Sequence, residues 1–285
     1  MNRRSFLTSS TAVSAGILSG ASSPLAAAPA AEGRFQLGSV TYNLLHDMDL
    51  ETAIQTLEKV GFAAIELRTG HKHGVEPGID AAARVQVKER FQRSKVRLLS
   101  YGSTCEFQSP DQAERRKQIE IGKTFVDLAK DTGAMAVKVR PNGLPKGVPL
   151  DTTVGNIGAG LRELGDYGQA KGIEIWMEVH GSKTQEFPLA SRILQTANHK
   201  NVGACWNSNP TDVVDGSLKQ AFAALGPYIR NCHISELTSG YPYQEFFRLL
   251  RESGYSRYTL AEVAESKEPE RFMVYYRALW EKLNS

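Results

Sequence analysis

Short β-branched runs alternate with longer amphipathic stretches at intervals of close to thirty residues, and this alternation constrains the chain more than any other feature. Eight such runs read as strands, at 35–41, 63–67, 96–101, 136–140, 173–178, 202–206, 229–233 and 258–262. Helical periodicity follows each of them, near 50–60, 81–94, 111–132, 152–170, 188–197, 217–225, 243–253 and 269–283. Gly61, Gly133, Gly172 and Gly254 stand just ahead of the next strand, where a helix end needs a residue that accepts positive φ. A strand-helix unit repeated this often over about 250 residues predicts a single-domain α/β fold, the (β/α)8 TIM barrel. No Pro/Gly/Ser-rich linker interrupts the repeat. Segment 141–149, with its three prolines and two glycines, reads as a long loop after the fourth strand and a candidate lid.

The repeat starts only after residue 30. Asn2-Arg3-Arg4-Ser5-Phe6-Leu7 resembles the twin-arginine export motif, and A-x-A-like cleavage sites follow at Ala26 to Ala28 or Ala28 to Ala30. Residues 1–30 are therefore expected to be a removable signal peptide, 31–285 the barrel, and the mature protein periplasmic or otherwise exported. No run reaches the roughly 18 apolar residues of a spanning helix, so no membrane anchor is expected. Arg3 and Arg4 are the leader's charged residues, so its removal lowers the formal charge of +3 by two, too balanced a value for nucleic-acid binding. Cys105, Cys205 and Cys232 show no metal-type pairing, and no structural disulfide is expected.

In a barrel of this kind the chemistry sits at the C-terminal ends of the strands. Residues 173–181, Ile-Glu-Ile-Trp-Met-Glu-Val-His-Gly, place Glu174, Trp176, Glu178 and His180 on one side, and Ile175, Met177 and Val179 on the other. The ends of strands five to eight carry Glu178, Asn207, His233 and Glu262; strand two ends in Glu66 and Arg68, and strand four in Lys138 and Arg140. Two carboxylates, an amide oxygen and an imidazole make a mixed O/N ligand set suited to a divalent cation such as Mn²⁺, Mg²⁺, Co²⁺ or Zn²⁺. Lys138 and Arg140 are read either as substrate contacts or as salt-bridge partners of Glu66 and Glu178. Glu66 is either a substrate contact or a partner of its neighbours. His180 is placed to donate to a substrate oxygen, or else holds backbone in a loop. Trp176 offers an aromatic face to the pocket, against the alternative of core packing. Cys205 should point inward and Cys232 outward; His71 and His73 read as surface ahead of substrate contact, and His199 as structural.

Ile65-Glu66-Leu67, Met177-Glu178-Val179-His180-Gly181, Cys205-Trp206-Asn207, Asn231-Cys232-His233 and Leu260-Ala261-Glu262 together resemble the xylose-isomerase-like barrels, over roughly residues 35 to 285. That family includes sugar isomerases and epimerases, inosose dehydratases and endonuclease-IV-like enzymes. The resemblance implies a divalent metal on Glu178, His233 and Glu262. This chain departs from it at the sixth strand, where Asn207 and Pro210 stand in place of the usual aspartate and of a histidine three residues later. The arginine common in the family's sugar epimerases after the seventh-strand histidine is also replaced, by the run Ile234-Ser235-Glu236-Leu237. The expected reaction is proton abstraction beside a carbonyl, with Glu178 and Glu262 as acid and base. A small sugar without phosphate is the expected substrate, since no Gly-rich phosphate cradle is present. A lyase or hydratase acting on oxidised sugars such as 3-keto-glycosides is the first alternative, and a non-catalytic carbohydrate-binding barrel the second. Phe246–Phe247 and Tyr275–Tyr276 read as core or dimer contacts, which leaves a homo-oligomer open.

Overall fold

The computed structural model describes residues 34–285; the expected signal peptide, with its twin-arginine-like run and candidate cleavage sites, lies outside the described residues. Eight parallel strands follow one another in chain order around a closed barrel. They are β1 Gln36–Val40, β2 Ala64–Arg68, β3 Arg97–Gly102, β4 Ala136–Val139, β5 Glu174–Glu178, β6 Val202–Asn207, β7 Ile229–Ile234 and β8 Tyr258–Ala261. The helices are α1 Leu50–Val60, α2 Ala81–Gln92, α3 Gln112–Thr132, α4 Leu150–Lys171, α5 Phe187–Ala197, α6 Lys219–Leu225, α7 Tyr243–Glu252 and α8 Pro269–Leu283. Their ends have local causes. Asp49, Asp80 and Asp111 each accept a backbone N–H of the first turn, and Gly61, Gly133 and Gly172 close α1, α3 and α4 in the left-handed conformation.

Alternation along the strands sorts side chains into two cores. Ile175, Met177 and Val179 join the large core between barrel and helices, as do Trp206 and Cys232. Val40, Ala64, Leu99, Ala136, Trp176, Cys205 and Leu260 form a second cluster, one residue from each of seven strands, that fills the barrel interior. The seventh strand contributes Asn231, whose amide nitrogen lies 3.6 Å from the Cys205 sulfur. All three cysteines are buried and free, with Cys205 inside and Cys232 outside as their parities require.

This interior layer positions the site. Two residues further along a strand is about 7 Å further along that strand on the same face, toward its C-terminal end. Ala64, Ala136, Trp176, Cys205, Asn231 and Leu260 are therefore each followed, one layer up, by Glu66, Lys138, Glu178, Asn207, His233 and Glu262. An apolar floor thus carries a charged layer at the C-terminal end.

Trp176 corrects an expectation. It points inward, but it belongs to the floor beneath the charged layer, 1% exposed. Its indole N–H donates to Glu174 Oε2 at 2.7 Å, toward the N-terminal end, and the Arg257 guanidinium lies 5.5 Å from its ring centroid. It packs the barrel and offers no face to a substrate.

Candidate metal and acid-base site

Four ionisable side chains of the charged layer are almost wholly buried: Glu66, Lys138, Glu178 and His233. Glu262, one residue past β8, keeps 22% of its side chain exposed. His233 is the hub. Its Nδ1 lies 3.4 Å from Glu178 Oε1 and 3.2 Å from Glu262 Oε2, and its Nε2 lies 3.4 Å from Glu66 Oε1. Lys138 Nζ donates to Glu178 Oε2 at 2.7 Å and stands 3.7 Å from Glu66 Oε1. Ser100 Oγ donates to Glu66 Oε2 at 2.7 Å. A Cβ at Gly102 would come within 2.7 Å of Glu66 Oε1, so glycine there leaves Glu66 its room.

These contacts set the protonation states. Burial alone would raise the Glu178 carboxyl, but Lys138 and His233 outweigh it and hold it well below the ordinary carboxylate range. Glu66 is likewise held low against burial by His233 and Lys138. Burial would lower the Lys138 ammonium, yet Glu178 and Glu66 raise it. His233 is carried well above its usual value, because the Cys205 sulfur, Glu66 and Glu262 overcome the penalty of burial. The site therefore favours positive charge at its centre.

A divalent cation fits that preference. Three carboxylates against one ammonium leave two negative charges when His233 is neutral. Both ring nitrogens of His233 and Oε1 of Glu66 are buried without a hydrogen-bond partner among the described residues. Ligand atoms of Glu178, His233 and Glu262 all lie within 4.8 Å of one another. Two donors bound at about 2.1 Å to one ion stand roughly 3.0–3.4 Å apart, and the 3.2 and 3.4 Å separations at His233 Nδ1 match that spacing. With Nδ1 facing the two glutamates, the Nε2 side faces Glu66, in the carboxylate-histidine arrangement that orients metal-binding imidazoles.

The other expected residues fall into distinct places. Asn207 ends β6, half-buried, in register with His233 on β7. His180 lies two residues beyond Glu178, half-buried; its carbonyl accepts from Thr184 Oγ1 at 2.6 Å, and its Nδ1 is shielded without a partner among the described residues. Gly181 follows at φ 91°, where a Cβ would meet the Asn142 backbone at 2.7 Å, so this loop docks on the loop after β4. Of the two readings weighed for Glu66 and Lys138, the geometry matches ion pairing, while Arg140 remains part-exposed. Glu66 and Lys138 are sealed beneath the mouth by their mutual ion pairing, and Arg140, past the end of β4, stands 3.7 Å from Glu106.

His71 and His73, expected at the surface, are half-buried and buried, and Ser100 and Asp212 were not anticipated. His73 is buried, with Nε2 donating to the Arg68 carbonyl and Nδ1 accepting from Val75, which fixes a neutral structural ring. His71 stands 2.8 Å from Thr41 Oγ1 and stacks on Tyr42, and burial pushes it down to about 4. Ser100 escaped notice because β3 is irregular: the register shifts between Ile65 and Glu66, so that both Leu99 and Ser100 turn inward. Asp212, near the end of β6, was also missed; the Asn209 to Asp212 capping spacing was its available signal.

The model of the xylose isomerase-like TIM barrel family matches residues 54–275. The chain belongs to this family. It is 21% identical over 242 residues to fructoselysine 3-epimerase of Shigella flexneri, covering 76% of this chain and 86% of that protein. Among solved structures, the IOLI protein with a bound zinc atom superposes with a TM-score of 0.71 at 19% identity, covering 87% of this chain and 96% of that one. D-psicose 3-epimerase of Clostridium cellulolyticum H10, solved with D-tagatose, gives 0.75 at 14% identity, covering 88% and 99%. The family's fold and the charged layer described above thus coincide in one chain.

Proposed function

We propose that this protein is an exported, metal-dependent sugar isomerase or epimerase that removes a proton from a carbon beside a carbonyl on a non-phosphorylated sugar or keto-sugar. The observation that carries this reading is the convergence of Glu178, His233 and Glu262 above an apolar floor at the C-terminal end of the barrel. Glu178, His233 and Glu262 would hold the cation, which supplies positive charge against the substrate's carbonyl and hydroxyl oxygens and so acidifies the neighbouring C–H. Glu262 is the part-exposed carboxylate, and with one oxygen given to the ligand set the other can accept that proton. His180, half-buried two residues beyond Glu178, is the side chain we assign to a substrate oxygen. Sugar epimerases among the relatives and a zinc-bearing structural neighbour support the same reading. A lyase acting on an oxidised sugar is favoured by one feature, that a single part-exposed carboxylate suffices for elimination.

Elemental analysis of the purified protein, followed by proton exchange in D₂O against ketohexoses and 3-keto-glycosides, tests the proposal. A stoichiometric divalent metal with exchange at a carbon beside the carbonyl is expected; neither metal nor exchange would leave the carbohydrate-binding reading in front. Asn207 provides a graded check. Asn207→Asp adds a negative charge at the rim of the ligand set and is expected to tighten Mn²⁺ binding, and Asn207→Ala to weaken it, if the amide oxygen coordinates. Unchanged metal content in the alanine variant, with a higher KM, would assign Asn207 to the substrate instead.

Export is proposed from Arg3 and Arg4. Arg3→Lys with Arg4→Lys is expected to retain the protein in the cytoplasm with its activity intact, because the pair addresses export machinery and lies outside the barrel repeat. Normal periplasmic yield of that double variant on cell fractionation would refute the assignment.

A further inference from the structure

Glu178 and Glu262 are not equivalent, and Lys138 is the reason. Lys138 lies inside the barrel on β4, its residue 5% exposed. Its backbone carbonyl accepts from both the N–H and the hydroxyl of Ser103, at 3.0 and 2.6 Å, which fixes the strand there. From that position its ammonium takes Glu178 Oε2 at 2.7 Å, while Glu178 Oε1 faces His233 Nδ1 at 3.4 Å. The two oxygens of Glu178 are thereby divided between two partners. Glu262 reaches the same imidazole nitrogen at 3.2 Å and has no ammonium or guanidinium partner among the described residues.

We propose that Lys138 is a positioning residue that holds Glu178 as a one-oxygen ligand, so that Glu178 serves only the cation, while Glu262, the other carboxylate of the ligand set, alone carries the proton as well. This rests on the metal-site part of the proposed function. A carboxylate oxygen already accepting from a buried ammonium is not free to close on a cation as a second donor, nor to collect a substrate proton. The ammonium also offsets part of the negative charge that draws the cation in. The proton step becomes one-sided. The Glu262 carboxylate forms an O–H bond with the proton of the carbon beside the carbonyl as that C–H bond breaks. The freed electron pair forms a C=C bond and the carbonyl π pair moves onto oxygen. The Glu262 carboxyl then delivers its proton to the former carbonyl carbon, where the C=C pair makes the new C–H bond. The neighbouring hydroxyl gives its proton to the first oxygen, and its O–H pair becomes the new C=O. Chemistry of this form suits transfer on one face, as in isomerisation or elimination, better than inversion between two opposed bases.

The test is Mn²⁺ titration of the full chain and of Lys138→Met and Lys138→Gln, followed by the Mn²⁺ electron paramagnetic resonance signal. Lys138→Met removes the ammonium at similar length; Lys138→Gln keeps a donor without charge, should the methionine variant not fold. Freeing the second oxygen and deleting a positive charge beside the cation is expected to tighten Mn²⁺ binding about tenfold or more. A lysine that merely braced Glu178 would give the opposite sign, since its loss would leave the ligand loose. Equal or weaker binding in the Lys138 variants, with the wild type binding Mn²⁺, overturns the lock and leaves the metal reading standing. No Mn²⁺ bound by any of the three proteins overturns both.

Discussion

Glu262→Gln is expected to lower turnover by roughly 10²–10⁴-fold, the usual worth of a positioned acid-base group, with little change in melting temperature. Glu262 is part-exposed, and its partner His233 keeps Glu66 and Glu178 when it is neutralised. Glu178→Gln should behave differently. It takes from Lys138 the carboxylate at 2.7 Å, and Glu66 at 3.7 Å remains as a weaker partner. The fold is therefore expected to lose roughly 3 kcal/mol, near the lower end of the cost of stranding a buried charge. Metal content should fall in both variants, since both carboxylates belong to the ligand set, and the loss of stability should fall on Glu178→Gln alone. Urea unfolding and elemental analysis on both variants, beside turnover on a converted sugar, separate the two roles. A stability loss in Glu262→Gln equal to that in Glu178→Gln would remove the distinction between the two carboxylates.

Stability should fall as pH rises from about 4 to about 7, and Asp212→Asn should abolish most of that slope. Asp212 is 1% exposed, and both its recorded hydrogen bonds, from the Asn209 N–H and the Tyr241 hydroxyl at 3.0 Å each, fall on Oδ2. Oδ1 is buried without a partner among the described residues. Burial pushes the carboxyl from 3.8 up to about 7, against the opposing hydrogen bonds of Tyr241 and Asn209. Between those values the folded protein keeps a proton that the unfolded chain has lost. At about 1.4 kcal/mol per pH for one proton, the window costs roughly 4 kcal/mol by pH 7. Glu66 and Glu178 act at the acid end in the opposite sense. Their carboxyls are held low, so their contribution is present above the ordinary carboxylate value and is lost as pH falls through the folded ones. Thermal melts at pH 5 and pH 8 check the claim, since asparagine keeps the acceptor for Asn209 and Tyr241 and cannot ionise. A variant that remains as pH-sensitive as the wild type between those values would show that another group sets the slope.

The barrel was legible from the alternation of strand and helix signals, because each unit's pattern is local. A β-branched run and an amphipathic stretch state which face must be buried without reference to the rest of the chain. The expected helices 50–60 and 269–283 coincide with α1 and α8, and elsewhere the limits moved by at most two residues. Strand-end position also singled out Glu178, Asn207, His233 and Glu262, since in a parallel barrel the last inward residue of every strand faces the same mouth.

Depth and partner were a different matter. Parity says that Trp176 points inward but not which layer it occupies, and the apolar cluster it completes draws on six other strands. The irregular pairing of β2 with β3 turned Ser100 toward Glu66 against simple alternation. Lys138 had Glu66 and Glu178 as candidate partners in the linear order, and the closed sheet placed one at 2.7 Å and the other at 3.7 Å. His73 reads as surface between two glycines until the loop folds its ring onto the Arg68 carbonyl. What the sequence alone determined is the side on which each residue lies, a property of two or three neighbours along the chain. Height in the barrel and choice of ion-pair partner come from the stagger between strands distant in sequence, and only the closed tertiary structure sets that stagger.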